Sequence, residues 1–316
     1  MTSVRKTFGK KVAVEGLDLT VNRGALLGLI GPNGAGKTTS IRMIMSILFP
    51  DSGELSVLGK NSAIESKDRI GYLPEERGVY KKMKVGAFLR HMAALKGVPS
   101  DGAATKINEW LLKVDLPDVA KKKCEELSKG MQQKVQFIAA VLHEPELLIL
   151  DEPFSGLDPV NMRLLRDLIR EQHERGTTVI FSTHVMAQAQ DICDRIVMIH
   201  QGHKVLDDTI SDIRSRHETR VIEFEPLDPS GLESLSIDGV TGTRQGERAW
   251  EADIGDGIEP ARALASLASA VPVNRAELRR PTLEDVFIGI VTGDGASEEE
   301  LRAAVRAGAV VTEEEE

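Results

Sequence analysis

The sequence predicts an α/β fold, and three observations carry that expectation. Two short apolar runs, Ala25 to Ile30 and Leu147 to Leu150, read as strands buried on both faces of a parallel sheet. Each runs directly into a loop of chemically useful residues, which is where α/β sheets place their ligands. Around them lie segments with apolar residues at helical spacing: Val85 to Leu95, with Phe88, Met92 and Leu95 on one stripe, and Ile107 to Val114.

The first loop is Gly31-Pro32-Asn33-Gly34-Ala35-Gly36-Lys37-Thr38-Thr39, and the helical segment Ser40 to Met45 follows it. Its glycines permit backbone angles closed to other residues, so successive N–H groups can turn inward and form an anion site continued by the helix N-terminus. The spacing then lets Lys37 reach the β- and γ-phosphates of a nucleoside triphosphate and the Thr38 hydroxyl ligate Mg²⁺. A Gly-rich turn alone would carry little weight; strand before and helix after make it specific. The second loop opens with Asp151-Glu152-Pro153. Asp151 is placed to hold Mg²⁺ through its water shell, and Glu152 to orient or deprotonate an attacking water.

Three further motifs surround this pair: Leu127-Ser128-Lys129-Gly130-Met131-Gln132-Gln133-Lys134 upstream, then Ser155-Gly156-Leu157-Asp158 and Ser182-Thr183-His184 downstream. With five motifs in order, residues 5 to about 215 resemble the ATP-binding-cassette (ABC) ATPase family. The resemblance implies a P-loop NTPase cassette, with a mixed sheet core and a helical subdomain at about 75–144, that binds ATP with Mg²⁺ and hydrolyses it. It implies that Ser128, Lys129, Gly130 and Met131 form the signature that closes over the γ-phosphate of a second cassette, in a homodimer or heterodimer. Asp158 would couple the two sites, His184 would contact the γ-phosphate and attacking water, and Phe8 would stack on adenine; the alternative for Phe8 is a half-buried core aromatic. Lys129 stands where the family usually has Gly, and Met131 where it has Gln. In Ile70-Gly71-Tyr72-Leu73-Pro74-Glu75-Glu76-Arg77, Glu75 replaces the usual Gln; a carboxylate can serve as a Mg²⁺-shell ligand but adds repulsion toward a triphosphate. Both departures resemble the export-type branch of sodium- and drug-extrusion ATPases.

Composition bounds the partners. The 41% hydrophobic content suffices for a packed core, and no apolar run approaches the roughly 18 residues of a spanning helix. The start, Met1 to Lys6, lacks a signal peptide's apolar stretch, so a cytoplasmic location is expected, peripheral on the inner face of the membrane. Met1 leaves little room for a strand before Phe8, so a start codon further upstream is one reading. Net charge is −9, but Glu298 to Glu316 holds seven Glu against Arg302 and Arg306, leaving the body at −4. No general nucleic-acid-binding field exists, and no specific nucleic acid is expected as partner. Lys81-Lys82-Met83-Lys84 and Lys121-Lys122-Lys123 read as solvated loops, and Cys124 and Cys193 as reduced structural thiols. His200-Gln201-Gly202-His203 reads as a Gly-centred turn after a strand from Arg195 to Ile199 rather than a metal site.

The expected organisation is a cassette over 1–216, with Val12 to Val21 as an early β segment, and a small α+β accessory domain over 220–292. In the latter, Val221 to Phe224, Val240 to Thr243 and Ala249 to Ala252 suit strands and Pro260 to Ala270 a helix. Thr282 N-caps a last helix, with Asp285 three residues on. Residues 293–316 form an acidic tail, expected to be mobile, where Leu301 and Val305 could support short helical turns. With no membrane segment of its own, the chain would power a separate integral membrane permease, docked through Val79, Tyr80 and Met83. A soluble ABC ATPase acting on ribosomes or nucleic acid remains the alternative.

Overall fold

The computed structural model describes residues 1–76, 78–216, 221–230, 232, 236–245, 249–255, 257–279 and 282–291. The expected junction near Arg220 and the tail from Asp294 lie outside the described residues. The chain divides into one compact unit through Ile210 and a second beginning at Ser211.

The first unit opens with β1 (Thr2–Phe8) and β2 (Lys11–Leu17), an antiparallel pair, then β3 (Leu26–Ile30), α1 (Lys37–Ile44) and β4 (Ser52–Glu54). Thus the seven residues before Gly9 do form a strand, and the small sheet runs β2-β1-β4. The early β segment ends at Leu17 rather than Val21. Beyond it, Leu19 exchanges backbone hydrogen bonds with Met1, at 3.0 and 2.9 Å, and buries its side chain from a loop.

Next come β5 (Ile70–Leu73), the helices α2 (Val85–Leu95), α3 (Ala103–Lys113) and α4 (Lys129–Val141), and β6 (Leu147–Asp151). They are followed by α5 (Pro159–Glu174), β7 (Thr178–Thr183), α6 (Met186–Ile192), β8 (Arg195–His200) and β9 (His203–Thr209), and then by α7 (Ile210–Arg216), which opens the second unit. The main sheet has the order β5-β6-β7-β3-β8-β9 and is mixed: its pairings are parallel except β8 with β9. That exception is a hairpin whose two turn residues, Gln201 (φ 47°) and Gly202 (φ 83°), both carry the positive φ that a tight hairpin needs.

All residues of β3, β6 and β7 are buried, as apolar strands inside a parallel sheet must be. One core joins Leu27, Leu29, Ile149, Ile180 and Val197 of the sheet to Ile41 of α1 and Val14 and Leu17 of β2. Among the insert helices, α2 buries Val85, Phe88, Leu89 and Ala93, while Leu95 is 60% exposed and Met92 half-buried. The expected Phe88, Met92, Leu95 stripe is therefore rotated, because Phe88 and Leu89 face inward together with Val85. On α3, Trp110 meets Phe137 of α4 edge-on at 6.2 Å. Among the described residues no helix is long and apolar enough to cross a membrane.

The second unit holds β10 (Val221–Pro226), β11 (Val240–Gln245), β12 (Trp250–Ile254), α8 (Pro260–Ala270), β13 (Val273–Arg279) and α9 (Leu283–Val291). Its antiparallel sheet runs β11-β12-β10-β13. Ile222, Phe224, Ala252 and Ile254 pack with Ala263 and Leu267, one turn apart on α8. At the start of α9, Asp285 N–H donates to Thr282 Oγ1 at 3.2 Å and Thr282 N–H to Asp285 Oδ2 at 2.9 Å, a reciprocal capping box.

Candidate nucleotide site

The C-terminal ends of β3, β6 and β7 lie side by side, with Ile30 opposite Thr183 and Asp151 opposite Ser182. This register brings together loops that are over a hundred residues apart in sequence. After β3 the backbone turns at Gly31 (φ 149°), where an added Cβ would stand 2.1 Å from the Ile199 carbonyl oxygen. It turns again at Gly36 (φ 113°), where a Cβ would meet Ala13 O at 2.5 Å. Both positions require glycine by close approach as well as by angle. The loop delivers Lys37 into α1 with its side chain buried: Nζ donates to Gly31 O at 2.7 Å and Pro32 O at 3.1 Å. Burial pushes the ammonium's pKa down, and the carboxylates of Glu152, Asp151 and Glu75 oppose that shift.

Asp151, 1% exposed, accepts from Ser182 Oγ at 2.5 Å and from Thr38 Oγ1 at 3.4 Å, both on Oδ1. Its Oδ2 is buried and has no hydrogen-bond partner among the described residues. Burial pushes this carboxyl up; the Ser182 bond pulls it down, Glu152 pushes it further up, and Thr38 and Lys37 pull down. A hydroxyl and an unsatisfied carboxylate oxygen side by side suit a hard divalent cation. Glu75 sits after β5, and partial burial beside Asp151 and Glu152 raises its pKa, against the pull of Lys37 and His184. It faces the same cluster.

Glu152 occupies a left-handed conformation (φ 47°), uncommon for a residue with a side chain. Its N–H donates to Ser182 O at 3.1 Å, which pins the turn to β7. Its Oε1 accepts from both the backbone N–H and Nδ1 of His184, each at 2.8 Å, and lies 4.0 Å from Lys37 Nζ. A carboxylate can only accept, so the proton of this contact sits on Nδ1.

The remaining motif residues stand outside this hydrogen-bonded cluster. Ser128 N-caps α4, its Oγ accepting from Met131 N–H at 3.3 Å. Ser128 and Lys129 are exposed, and Gly130 lies near Leu157, where a Cβ would approach to 3.3 Å. Asp158 caps α5: Oδ1 accepts the N–H groups of Val160 and Asn161 at 3.0 Å each, and these bonds lower its pKa. Phe8, 47% exposed at the end of β1, has Lys6 Nζ 5.7 Å from its ring. Val79 is only 8% exposed, so of the three expected anchors just Tyr80 (52% exposed) and half-buried Met83 reach the surface.

The sequence names Ser182, Thr183 and Gln133 only as members of motifs, without a role of their own, and Gln188 not at all. Polar residues closing an otherwise apolar strand were the available signal for the first two. Gln133 is buried and donates from Nε2 to Pro153 O at 3.0 Å, tying the signature helix to the loop after Glu152.

The phosphate loop, the paired acids after β6 and the histidine after β7 define an ATPase cassette, and the sequence profile of the ABC transporter family matches residues 14–155. The chain belongs to the family of ABC transporter ATP-binding proteins: it is 40% identical over 286 residues to the uncharacterized ABC transporter ATP-binding protein YhaQ of Bacillus subtilis, covering 90% of this chain and 95% of the relative. It is 32% identical to the daunorubicin resistance ATP-binding protein DrrA3 of Streptomyces coeruleorubidus, over 92% of this chain and 94% of that one. The Nod factor export ATP-binding protein I of Burkholderia lata is 34% identical, over 73% and 77%. A solved "ATP binding subunit of ABC transporter" superposes with a TM-score of 0.63 at 31% identity, covering 68% of this chain and 91% of that chain. Residues 209–291 match the DrrA1-3-like C-terminal domain. The chain is thus a nucleotide-binding ATPase subunit of an ABC transporter, and that class of subunit works with a membrane permease.

Proposed function

We propose that this chain is one of two cassettes that sandwich two ATP molecules with Mg²⁺ and drive a separate permease as an exporter of the ABC-2 type, from the cytoplasmic face of the membrane. The resistance and export names of its relatives support the direction. The observation that carries the chemistry is the convergence of Lys37, Thr38, Asp151, Glu152 and His184, with Glu152 Oε1 2.8 Å from His184 Nδ1 and 4.0 Å from Lys37 Nζ.

In this reading the N–H groups of Gly31 to Thr39 cradle the phosphates, and Lys37 turns from the Gly31 and Pro32 carbonyls to the β- and γ-oxygens. Thr38, Asp151 and Glu75 would hold Mg²⁺, which when bound would supply charge neutralisation on the phosphate oxygens. Glu152 takes a proton from water as the water oxygen bonds the γ-phosphorus. The bond from γ-phosphorus to the bridging oxygen breaks, and ADP leaves with the electron pair. His184 fixes Glu152 and faces the γ-phosphate. Phe8 stacks on adenine. Ser128, Lys129, Gly130 and Met131 of each cassette close on the partner's ATP, and Asp158 lies on the path between the sites. Binding closes the dimer and hydrolysis reopens it.

The test is Glu152→Gln. Phosphate release falls by roughly 10²–10⁴-fold while ATP binding persists, and gel filtration with ATP shows an accumulated dimer. Wild-type turnover in this variant places the base elsewhere, with His184 next in line.

A further inference from the structure

Thr183 has one proton and two acceptors. Its Oγ1 lies 2.9 Å from Gln188 Oε1 on α6 and 3.3 Å from Glu152 Oε2, while it accepts from Val185 N–H at 3.0 Å. A hydroxyl carries a single O–H, so it cannot serve both oxygens, and the shorter contact is to Gln188. Glu152 Oε1 is already held by the two His184 donors. Oε2 is therefore the oxygen left for a substrate water. A hydroxyl donating to it would occupy the oxygen on which the water must place its own O–H.

We propose that Gln188 is a positioning residue for ATP hydrolysis: its carbonyl draws the Thr183 O–H away from Glu152 and leaves Oε2 free to receive the proton of the attacking water. The proposal rests on Glu152 being the base. The step is the one above, with the water proton going to Oε2, its oxygen to the γ-phosphorus and the breaking bond's electron pair to ADP. The charged and titratable groups facing Glu152 are Lys37 from α1, Asp151 beside it on β6, Glu75 after β5 and His184 after β7. Asp191, the charged residue of α6, pairs with Arg166 instead. Replacing Gln188 with another uncharged residue thus changes no charge around the base. It changes only where one hydroxyl points.

Steady-state ATP hydrolysis by the full chain tests this. Gln188→Leu lowers kcat about tenfold with little change in KM, the scale of one hydrogen bond to a charged group. Gln188→Glu, which keeps an acceptor for Thr183, stays at or above wild-type kcat. Adding Thr183→Val to Gln188→Leu removes the misdirected O–H and restores most of the lost rate, whereas a merely structural role predicts a further loss. An unchanged kcat in Gln188→Leu, or no recovery in the double variant, overturns the proposal. Glu152→Gln run alongside separates the two readings. Wild-type turnover there removes the base and this proposal with it, while its expected loss combined with no recovery removes this proposal alone.

Discussion

Lys37 is a buried cation, 5% exposed, held by two backbone carbonyls and faced by three carboxylates. In Lys37→Ala the phosphates lose their fixed charge, and Asp151 and Glu152 lose the cation that offsets their mutual repulsion. ATP affinity falls by about 10–100-fold, the range of a charge-assisted hydrogen bond, while the far-ultraviolet circular dichroism spectrum is kept. A fluorescent-nucleotide titration measures this; wild-type affinity contradicts the assignment. That Lys37, Asp151 and Glu152 would be neighbours was legible in the sequence because the phosphate grip and the paired acids each occupy contiguous residues beside a strand end, whereas His184 entered only through the family resemblance. Thr183 and Gln188 were not legible, because their contact with Glu152 depends on how β7 and α6 lie against β6, which no local pattern records. Val79 was misread for a related reason: an apolar residue beside a basic run can face inward as readily as outward.

At the scale of elements, a helix end marked by a capping pair was easy to read, uncapped starts such as that of α3 at Ala103 rather than Ile107 were not, and helix faces were the hardest. Thr282 with Asp285 is a reciprocal cap set by local spacing, whereas the buried face of α2 is chosen by α3 and α4. Strand β13 escaped notice because Asn274-Arg275 breaks the apolar alternation of Val273–Arg279 and the strand pairs at the edge of its sheet. Asp158 serves as the N-cap of α5 in this chain, and two variants separate that role from coupling between sites. Asp158→Ala lowers the urea midpoint, while Asp158→Asn, which keeps a capping oxygen, preserves it. Should Asp158→Asn still lower ATP cooperativity, the carboxylate has a second job; unchanged cooperativity confines it to the cap.

His143 links α4 to β5, with Nε2 3.1 Å from Ile70 O and Nδ1 buried without a partner among the described residues. Burial first, then Lys96 and Lys106, depress its pKa from 6.5 to about 4, against the Ile70 bond and Asp68. The unfolded chain therefore binds a proton that the folded chain refuses between these two values. This group's contribution to stability is full above pH 6.5 and is lost as pH falls toward 4. Urea midpoints measured across that window drop less steeply in His143→Gln than in wild type. Equal slopes contradict the account.

For the whole molecule, the two units differ in how much the sequence says about them. The first carries five motifs, three of them at the ends of β3, β6 and β7 and two at the starts of α4 and α5. The second, with its four-stranded sheet and α8, offers packing patterns but, among the described residues, no reactive constellation, so its fold was partly legible and its task was not. The central claim is that this ATPase serves a membrane permease, and the surface beside Glu75 is where we propose that the permease docks. Tyr80 rests edge-on against Phe88 at 5.9 Å and leaves half its surface open, with Met83 beside it among Lys81, Lys82 and Lys84. Placing carboxylates there puts unpaired charge into the contact without touching the phosphate site. The most direct measurement is fractionation of cells that express the native permease, comparing wild type with Tyr80→Asp combined with Met83→Asp. The account predicts wild type with the membranes and the variant released from them with ATP binding intact; a wild-type protein wholly in the soluble fraction, or bound to ribosomes, would contradict it.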